Sequence, residues 1–393
     1  MRPVRPDETF RAEVRAWLGA HAPAMRARRA AATSERDHFE ANRAWQRELF
    51  DAGWAGISWP REFGGRGASP ERAAIFAEEQ RRRDVSAGFV GSTIGMVAPV
   101  LLRYGTAAQQ ERYLRPLLRG DETWCQLFSE PSAGSDLANL AMRALHDGDE
   151  LVVNGQKVWT SNAHLCDFAI LLVRTNLDRP KHRGISFLLL DMHSPGVEVR
   201  PLRQITGACH FNEVFLTDVR VPVENVVGAI DDGWTVARAV LSHEASVIGG
   251  GSAAGTGCAE LIALARGLDR IDDPVVRQRL ASTYASERIL GYMKERIQVS
   301  GRDGTSGVDS SVMKVLWSEG RRERAELGVA LLGAAGALYD EWPLQLLEQF
   351  SSTIGGGTNE VHRTMIGERV LGLPPEQRVD RDVPYRELAA RRG

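Results

Sequence analysis

The sequence predicts an α+β fold in which helices and strands occupy separate stretches of the chain. Apolar residues recur at helical spacing over about the first 121 residues, the period becomes that of β-strands from about residue 122, and helical spacing returns after Gly233 and lasts to about residue 372. An alternating parallel sheet would interleave the two periods, whereas helix, strand and helix in blocks point to segregated layers. A chain of 393 residues is long for a single hydrophobic core, so two or three domains are expected, and the three blocks divide the chain at 1–121, 122–230 and 231–393.

In the first block, "FEANRAWQRELFDAGWAG" (39–56) reads as a helix that Gly53 stops, and "SWPREFGGRGASP" as a turn-rich connection. "SPERAAIFAEEQRRRD" (69–84) is a second helix, with Ser69 as its N-cap and Pro70 at the first helical position. In the middle block, "DELVVNGQKVWTSN" (149–162) reads as two short strands turning at Asn154-Gly155, a strong hairpin signal. "GISFLLLDM" (184–192) and "NEVFLTDVRVP" (212–222) are further strands, the second closed by a proline. In the last block, "GWTVARAVLSHEASVIGG" (233–250) places Ala237, Val240, Val247, Ile248 and Gly251 on one helical face. Glu244 falls within that stripe. A carboxylate on an apolar face has its pKa raised by burial, which suits a general base, unless it snorkels to solvent or pairs with an arginine. "GGGSAAGTG" (249–257) follows no strand and lacks a phosphate-loop lysine, so it reads as small residues for close helix packing.

Composition narrows the function classes. The chain is 43% hydrophobic and 25% charged with a net charge of -2, an ordinary globular balance that gives no electrostatic case for nucleic acid or a membrane surface. Its four cysteines form no C-x-x-C pair, so neither a disulfide framework nor a metal site is expected, and a reducing cytoplasm is the default compartment. The N-terminal stretch has no signal-peptide core and no apolar run approaches membrane-spanning length.

Two loops carry chemistry. "LFSEPSAGSDLANL" (127–140) offers hydroxyls from Ser129, Ser132 and Ser135 and close backbone approach at Gly134, as a cofactor-holding loop requires, although a plain surface turn has the same composition. "TIGGGTNEVHRTMIGERVLGLP" (353–374) sets three glycines and Thr358 ahead of a C-terminal helix. With "WPREFGG", "GQKVWTSNA" and "FNEVFLTDVRVP", these motifs stand in the order found in acyl-CoA dehydrogenases, and the chain resembles that family over nearly its whole length.

The resemblance implies a helical N-terminal domain, a middle β-domain, a C-terminal four-helix bundle and FAD as cofactor. It places Gln126, Leu127, Phe128, Ser129, Gly134, Ser135, Trp159, Thr160, Ser161, Thr358 and Glu360 at the cofactor, with Trp159 packing on the flavin. The implied reaction is α,β-dehydrogenation of an acyl thioester borne by CoA or a carrier protein. Gly356 N–H would donate to the thioester oxygen, and electron-transfer flavoprotein or oxygen would accept the electrons. Relatives commonly carry the base as a glutamate at the position of Gly356; a subgroup that includes isovaleryl-CoA dehydrogenase carries it on the helix instead, where Glu244 stands.

Three further departures concern the subunit interface. Ala245 replaces the arginine that usually follows the helix glutamate, the family's R-x-x-F-G segment is absent from 266–280 with Arg266 and Arg270 as its nearest stand-ins, and "LLGAAGAL" (331–338) follows Ala330 where a polar side chain is common. A homo- or hetero-oligomer, dimer or tetramer, is expected, and the weakened motifs fit pairing with a related subunit. A partner subunit of a heteromer, and a flavin monooxygenase or oxidase on the same fold, are the alternatives.

Overall fold

The computed structural model describes residues 6–250, 257–300, 306–338 and 340–390. Helix α1 (Pro6–Ala30) begins with Asp7 and Glu8 and ends with Arg28 and Arg29, the order its dipole favours. α2 (Glu35–Asp51) starts four residues before the expected Phe39, because Ser34 and Asp37 form a capping box, and the chain turns off just before Gly53 as expected. α3 (Pro70–Arg82) has Ser69 in extended N-cap conformation and Pro70 first, but the serine side chain makes no capping bond. α4 (Gly88–Tyr104) and α5 (Ala107–Arg119) follow, the latter opened by a Thr106–Gln109 capping box.

Glu79 of α3 is buried, and its carboxylate meets Arg11 at 2.8 Å, Arg15 at 3.1 Å and Arg83 at 3.2 Å. This ties α1 to α3 by charge as well as by packing. Burial pushes the carboxyl up, but the hydrogen bonds from Arg15, Arg11 and Arg83 outweigh it and hold its pKa at about 2.

The strands are β1 (Trp124–Leu127), β2 (Arg143–Asp147), β3 (Glu150–Ser161), β4 (Phe168–Arg174), β5 (Ile185–Asp191), β6 (Val197–Leu202) and β7 (Phe211–Pro222). They form one seven-stranded sheet in the order β1-β4-β2-β3-β7-β6, with β5 paired to β4. Leu127, Leu151, Val153, Leu171, Leu188, Val214 and Leu216 are among the residues of its core.

The expected hairpin at Asn154-Gly155 does not form. β3 runs straight through it, and the tight turn lies at Gly148-Asp149, where Asp147 pairs with Glu150. Asn154 instead exchanges two hydrogen bonds of 2.9 Å with Asp218 on β7. Gly155, at φ +151°, takes up a bulge in the β3–β7 register, and a Cβ there would lie 2.9–3.0 Å from Met142. The dipeptide bends the strand rather than reversing it.

The remaining helices are α6 (Gly233–Gly250), α7 (Cys258–Gly267), α8 (Pro274–Ser300), α9 (Ser306–Leu332), α10 (Glu341–Ile354), α11 (Asn359–Met365) and α12 (Tyr385–Ala390). Most of the glycine-alanine stretch read as a packing segment, residues 251–256, lies outside the described residues. The chain divides into two compact units, one holding residues up to 202, 209–240 and 379 onward, the other 203–208 and 241–378. In the second, Leu261, Ala265, Leu280, Leu327, Leu331 and Trp342 form the core. Among the described residues no helix is long and apolar enough to cross a membrane.

The Glu79 cluster makes an acid-stability prediction. Its folded pKa of about 2 lies below the ordinary glutamate value of 4.5, so its contribution is full above that value and is lost as pH falls towards 2. Glu79→Gln is expected to lower stability at pH 7 by roughly 1–3 kcal/mol, the usual range for a broken charged hydrogen bond. Denaturant unfolding of parent and variant should converge as the pH is taken from 7 to 3.

Candidate active site

In the first unit the site is built on the loop between β1 and β2 and on the bulge of β3. Leu127 and Phe128 are buried, backbone included, with their side chains in the core. Gln126 and Ser129 are half-buried, and Gly134 and Ser135 are exposed. Glu130 closes a tight turn with Ala133, through Glu130 N–H to Ala133 O at 3.1 Å and Ala133 N–H to Glu130 O at 3.0 Å.

The Glu130 side chain folds inward. Its carboxylate accepts from Ala141 N–H at 2.6 Å, Met142 N–H at 3.0 Å and Lys157 Nζ at 2.8 Å. Lys157, fully buried on β3, also donates to Phe128 O at 3.0 Å. Burial pulls its pKa down and Glu130 opposes that pull.

Two residues further on, the backbone is strained. Trp159 has φ +61°, a left-handed conformation that bulky side chains rarely adopt, at a second shift in the β3–β7 register. Its ring is 60% exposed and stands edge-on to Phe211, centroids 6.0 Å apart. Asn212 fixes the bulge from β7: wholly buried, it donates to Thr160 O at 3.0 Å and His210 O at 3.2 Å, and its Oδ1 lies 2.9 Å from His164 Nδ1. Thr160 is buried, yet its Oγ1 has no hydrogen-bond partner among the described residues. Ser161, half-buried, ends the strand. An exposed aromatic face held in strain beside an orphaned hydroxyl fits a flat ring system with polar edge atoms, as a flavin is.

In the second unit, Gly355, Gly356 and Gly357 join α10 to α11. Gly356 has φ +69°, where a glutamate would be strained, and Thr358 caps α11 by accepting from Val361 N–H at 3.2 Å. Lys314 of α9 is fully buried and donates to Gly357 O at 2.6 Å and Asn359 Oδ1 at 3.0 Å. Burial pulls its pKa down to about 8, with Glu360 and Glu319 opposing. His362 Nε2 lies 2.9 Å from Gly356 O, so both left-handed residues are held through their carbonyls. Glu360 is exposed in the first turn of α11.

Glu244 lies on α6, but its side chain is outside the described residues; of the apolar face proposed around it, Ala237 and Val240 are buried. Ala245 is outside them too. Arg270 is committed within its own unit, donating to Ala330 O at 3.0 Å and Leu331 O at 3.3 Å, while Arg266 is exposed. The residues not singled out from sequence are those that shape the loops. Lys157 shares strand parity with buried Leu151 and Val153, and Lys314 stands four residues from both Ser310 and Ser318 on a small-residue helix face. Both patterns were available as signals; Asn212 had none.

The sequence matches the N-terminal, middle and C-terminal domain models of acyl-CoA dehydrogenase at residues 6–121, 125–219 and 231–371. It is 40% identical to the acyl-CoA dehydrogenase IpdE1 of Mycobacterium tuberculosis over 379 residues, 94% of this chain and 98% of that one. It is 34% identical to the acyl-CoA dehydrogenase FadE29 of the same organism, over 86% of this chain and 90% of that one. Among solved structures, the Tcur3481-Tcur3483 steroid acyl-CoA dehydrogenase superposes with a TM-score of 0.79 at 31% identity, covering 96% of this chain and 100% of that one. The ChsE4-ChsE5 complex of Mycobacterium tuberculosis gives 0.76 at 31% identity with the same coverage. The strained tryptophan, the glycine loop and the domain order thus have one common explanation: the chain belongs to the acyl-CoA dehydrogenase family of FAD-dependent oxidoreductases.

Proposed function

We propose that this chain removes hydrogen from Cα and Cβ of an acyl-CoA thioester, with Glu244 as the general base. The observation that carries this is Gly356: the loop position that could bear a carboxylate is a glycine at φ +69°, leaving the base to another element. Glu244 is the carboxylate that helical periodicity puts in line with buried Ala237 and Val240. FAD, when bound, would supply the two-electron acceptor for the hydrogen that leaves Cβ as hydride. Gly356 N–H donates to the thioester oxygen as charge develops there, which acidifies Cα. Lys314 and His362 hold that loop in place, so the donor is pre-aligned rather than ordered by substrate.

On the cofactor side, the exposed Trp159 ring would pack against a bound flavin, and the unpartnered Thr160 hydroxyl would offer it a hydrogen bond. Ser129, Gly134, Ser135 and Ser161 belong to the same loop and strand end, with Gln126 and Leu127 at the end of β1 and Phe128 just after it; the family likeness gives Thr358 and Glu360, in the second unit, a cofactor-binding role of their own. The acyl group we favour is steroid-derived, from the likeness to the steroid acyl-CoA dehydrogenase. The acceptor is electron-transfer flavoprotein or oxygen, and the compartment is the cytoplasm.

A second reading has its own support. Tyr284, Ile289 and Tyr292 on α8 and Phe350 and Ile354 on α10 are exposed, and Arg270 is used up on α9 carbonyls. Together with Ala245 and Ala330 this favours assembly with a related, non-identical chain, as in the ChsE4-ChsE5 complex, over a homomer. The test is the visible spectrum of the purified protein, alone and co-expressed with a homologue, before and after anaerobic addition of steroid and straight-chain acyl-CoA thioesters. Bleaching supports dehydrogenation. A flavin that stays oxidised with every thioester opposes it, and a product formed only with oxygen supports a monooxygenase or oxidase.

Two substitutions test the residues. Trp159→Asn should stabilise the cofactor-free chain by about 1 kcal/mol, since asparagine enters the left-handed region readily. The same change should weaken FAD binding about tenfold through loss of the stacked ring; urea unfolding and flavin titration read the two effects separately. Glu244→Gln keeps size and removes the base, so FAD content should persist while anaerobic flavin reduction slows by roughly 10² or more. Reduction at the parental rate would place the base elsewhere.

A further inference from the structure

The last described segment of the chain, from residue 379, belongs to the first unit and lies beyond residue 371, where the match to the family's C-terminal domain ends. Its contacts converge on two short stretches: 136–140, the end of the loop that carries Ser129, Gly134 and Ser135, and 177–181, which follows β4. Asp380 bonds Lys181 Nζ at 2.5 Å, and the same ammonium reaches Asp136 at 2.9 Å and 3.0 Å. Tyr385 N–H donates to Arg179 O and Arg386 N–H to Leu177 O, each at 2.9 Å, while the Arg386 guanidinium pairs with Asp178.

The centre of this contact is Arg174. Its guanidinium, 1% exposed, donates to Ala138 O at 2.6 Å, Lys181 O at 2.8 Å and Leu140 O at 3.2 Å, and has no carboxylate partner among the described residues. A buried cation bonded only to carbonyls needs further compensation. The Tyr385 ring supplies it, with its centroid 3.9 Å from the guanidinium carbon, and Tyr385 O–H donates to Asn139 O at 3.3 Å. Arg174 N–H also bonds Met142 O at 2.7 Å, in the same residue whose N–H Glu130 accepts. The two ends of the loop, 128–130 and 141–142, are thus joined through Lys157 and Glu130, and its 138–140 stretch is held by Arg174.

We infer that Asp380 and Tyr385 are positioning residues for the cofactor loop: residues 379–390 form a strap that seals Arg174 and Lys181 and so holds 130–140 in the shape that binds FAD. This rests on the assignment of that loop to the cofactor. The strap acts through Arg174 and Lys181 and touches neither substrate nor flavin.

The test compares the full chain with Tyr385→Phe, Tyr385→Leu, Asp380→Asn and a truncation after Arg378, in the assembly that holds FAD. Backbone hydrogen exchange over 130–142 is measured without FAD, and the FAD dissociation constant by titration. Tyr385→Leu and the truncation should speed exchange in that stretch tenfold or more and weaken FAD binding by a similar factor. Asp380→Asn should do so to a smaller extent, and Tyr385→Phe, which keeps the ring face, should stay within threefold of the parent. If Tyr385→Leu and the truncation leave both readouts unchanged, the strap is overturned. Faster exchange with unchanged FAD affinity overturns its cofactor role. A parent that binds no FAD sinks the cofactor assignment itself, and the exchange data then decide separately whether the strap holds the loop.

Discussion

The ion pair between Lys157 and Glu130 is the constraint on which the β-domain site depends. Taking two such charges out of water costs several kcal/mol each, and their attraction offsets this only if every remaining donor and acceptor is met. Here they are met by Phe128 O, Ala141 N–H and Met142 N–H, all on the irregular chain between β1 and β2. The pair therefore does more than join two charges. It ties both ends of a loop with little secondary structure of its own to the strand that carries Trp159 and Thr160, and with the Val158 N–H bond to Ser129 O at 2.9 Å it sets the hydroxyl-bearing loop against the strained bulge.

The second unit solves a similar problem in the same way. The glycine loop after α10 has two successive left-handed residues and no ladder partner, so its carbonyls need donors from elsewhere. Lys314 supplies an ammonium from the buried face of α9, and Asn359 links that ammonium to Ser318 and Glu319 on the same helix at 2.9 Å and 3.0 Å. A neutral side chain could meet one carbonyl; a buried lysine meets several and tolerates the cost because glutamates 319 and 360 lie nearby. In both units, a functional loop that secondary structure cannot hold is held by a buried cation on a regular element.

Much of this was legible in the sequence and some was not, for physical reasons. The block order of helix, strand and helix, the proline at the end of β7 and the proline start of α3 follow from local periodicity and backbone chemistry, and the structure has them. The motifs also carried the family likeness, which the domain matches show. The Asn154-Gly155 signal failed because a turn preference is a local energy, and pairing along the whole of β3 with β7 outweighs it, leaving the glycine a bulge instead. The left-handed Trp159 could not be foreseen, since nothing in its neighbours announces strain that is balanced from a strand fifty residues away by Asn212. The buried lysines were visible as parity and small-residue patterns, but lysine on a sequence reads by default as solvent-facing.

That strain also explains why the bulge is built with a tryptophan rather than a glycine. A glycine would adopt φ +61° freely, yet it would offer no surface, and the bulge would lose its exposed ring. Asn212 steadies the bulge from β7, donating to Thr160 O on β3 and to His210 O just before its own strand. The unpartnered hydroxyl of Thr160 is a second local cost at the same place. A fold that was selected for stability alone would remove both. Their persistence side by side is what a site kept ready for a ligand requires: the ring in place before the ligand arrives, and a hydrogen bond left for it to make.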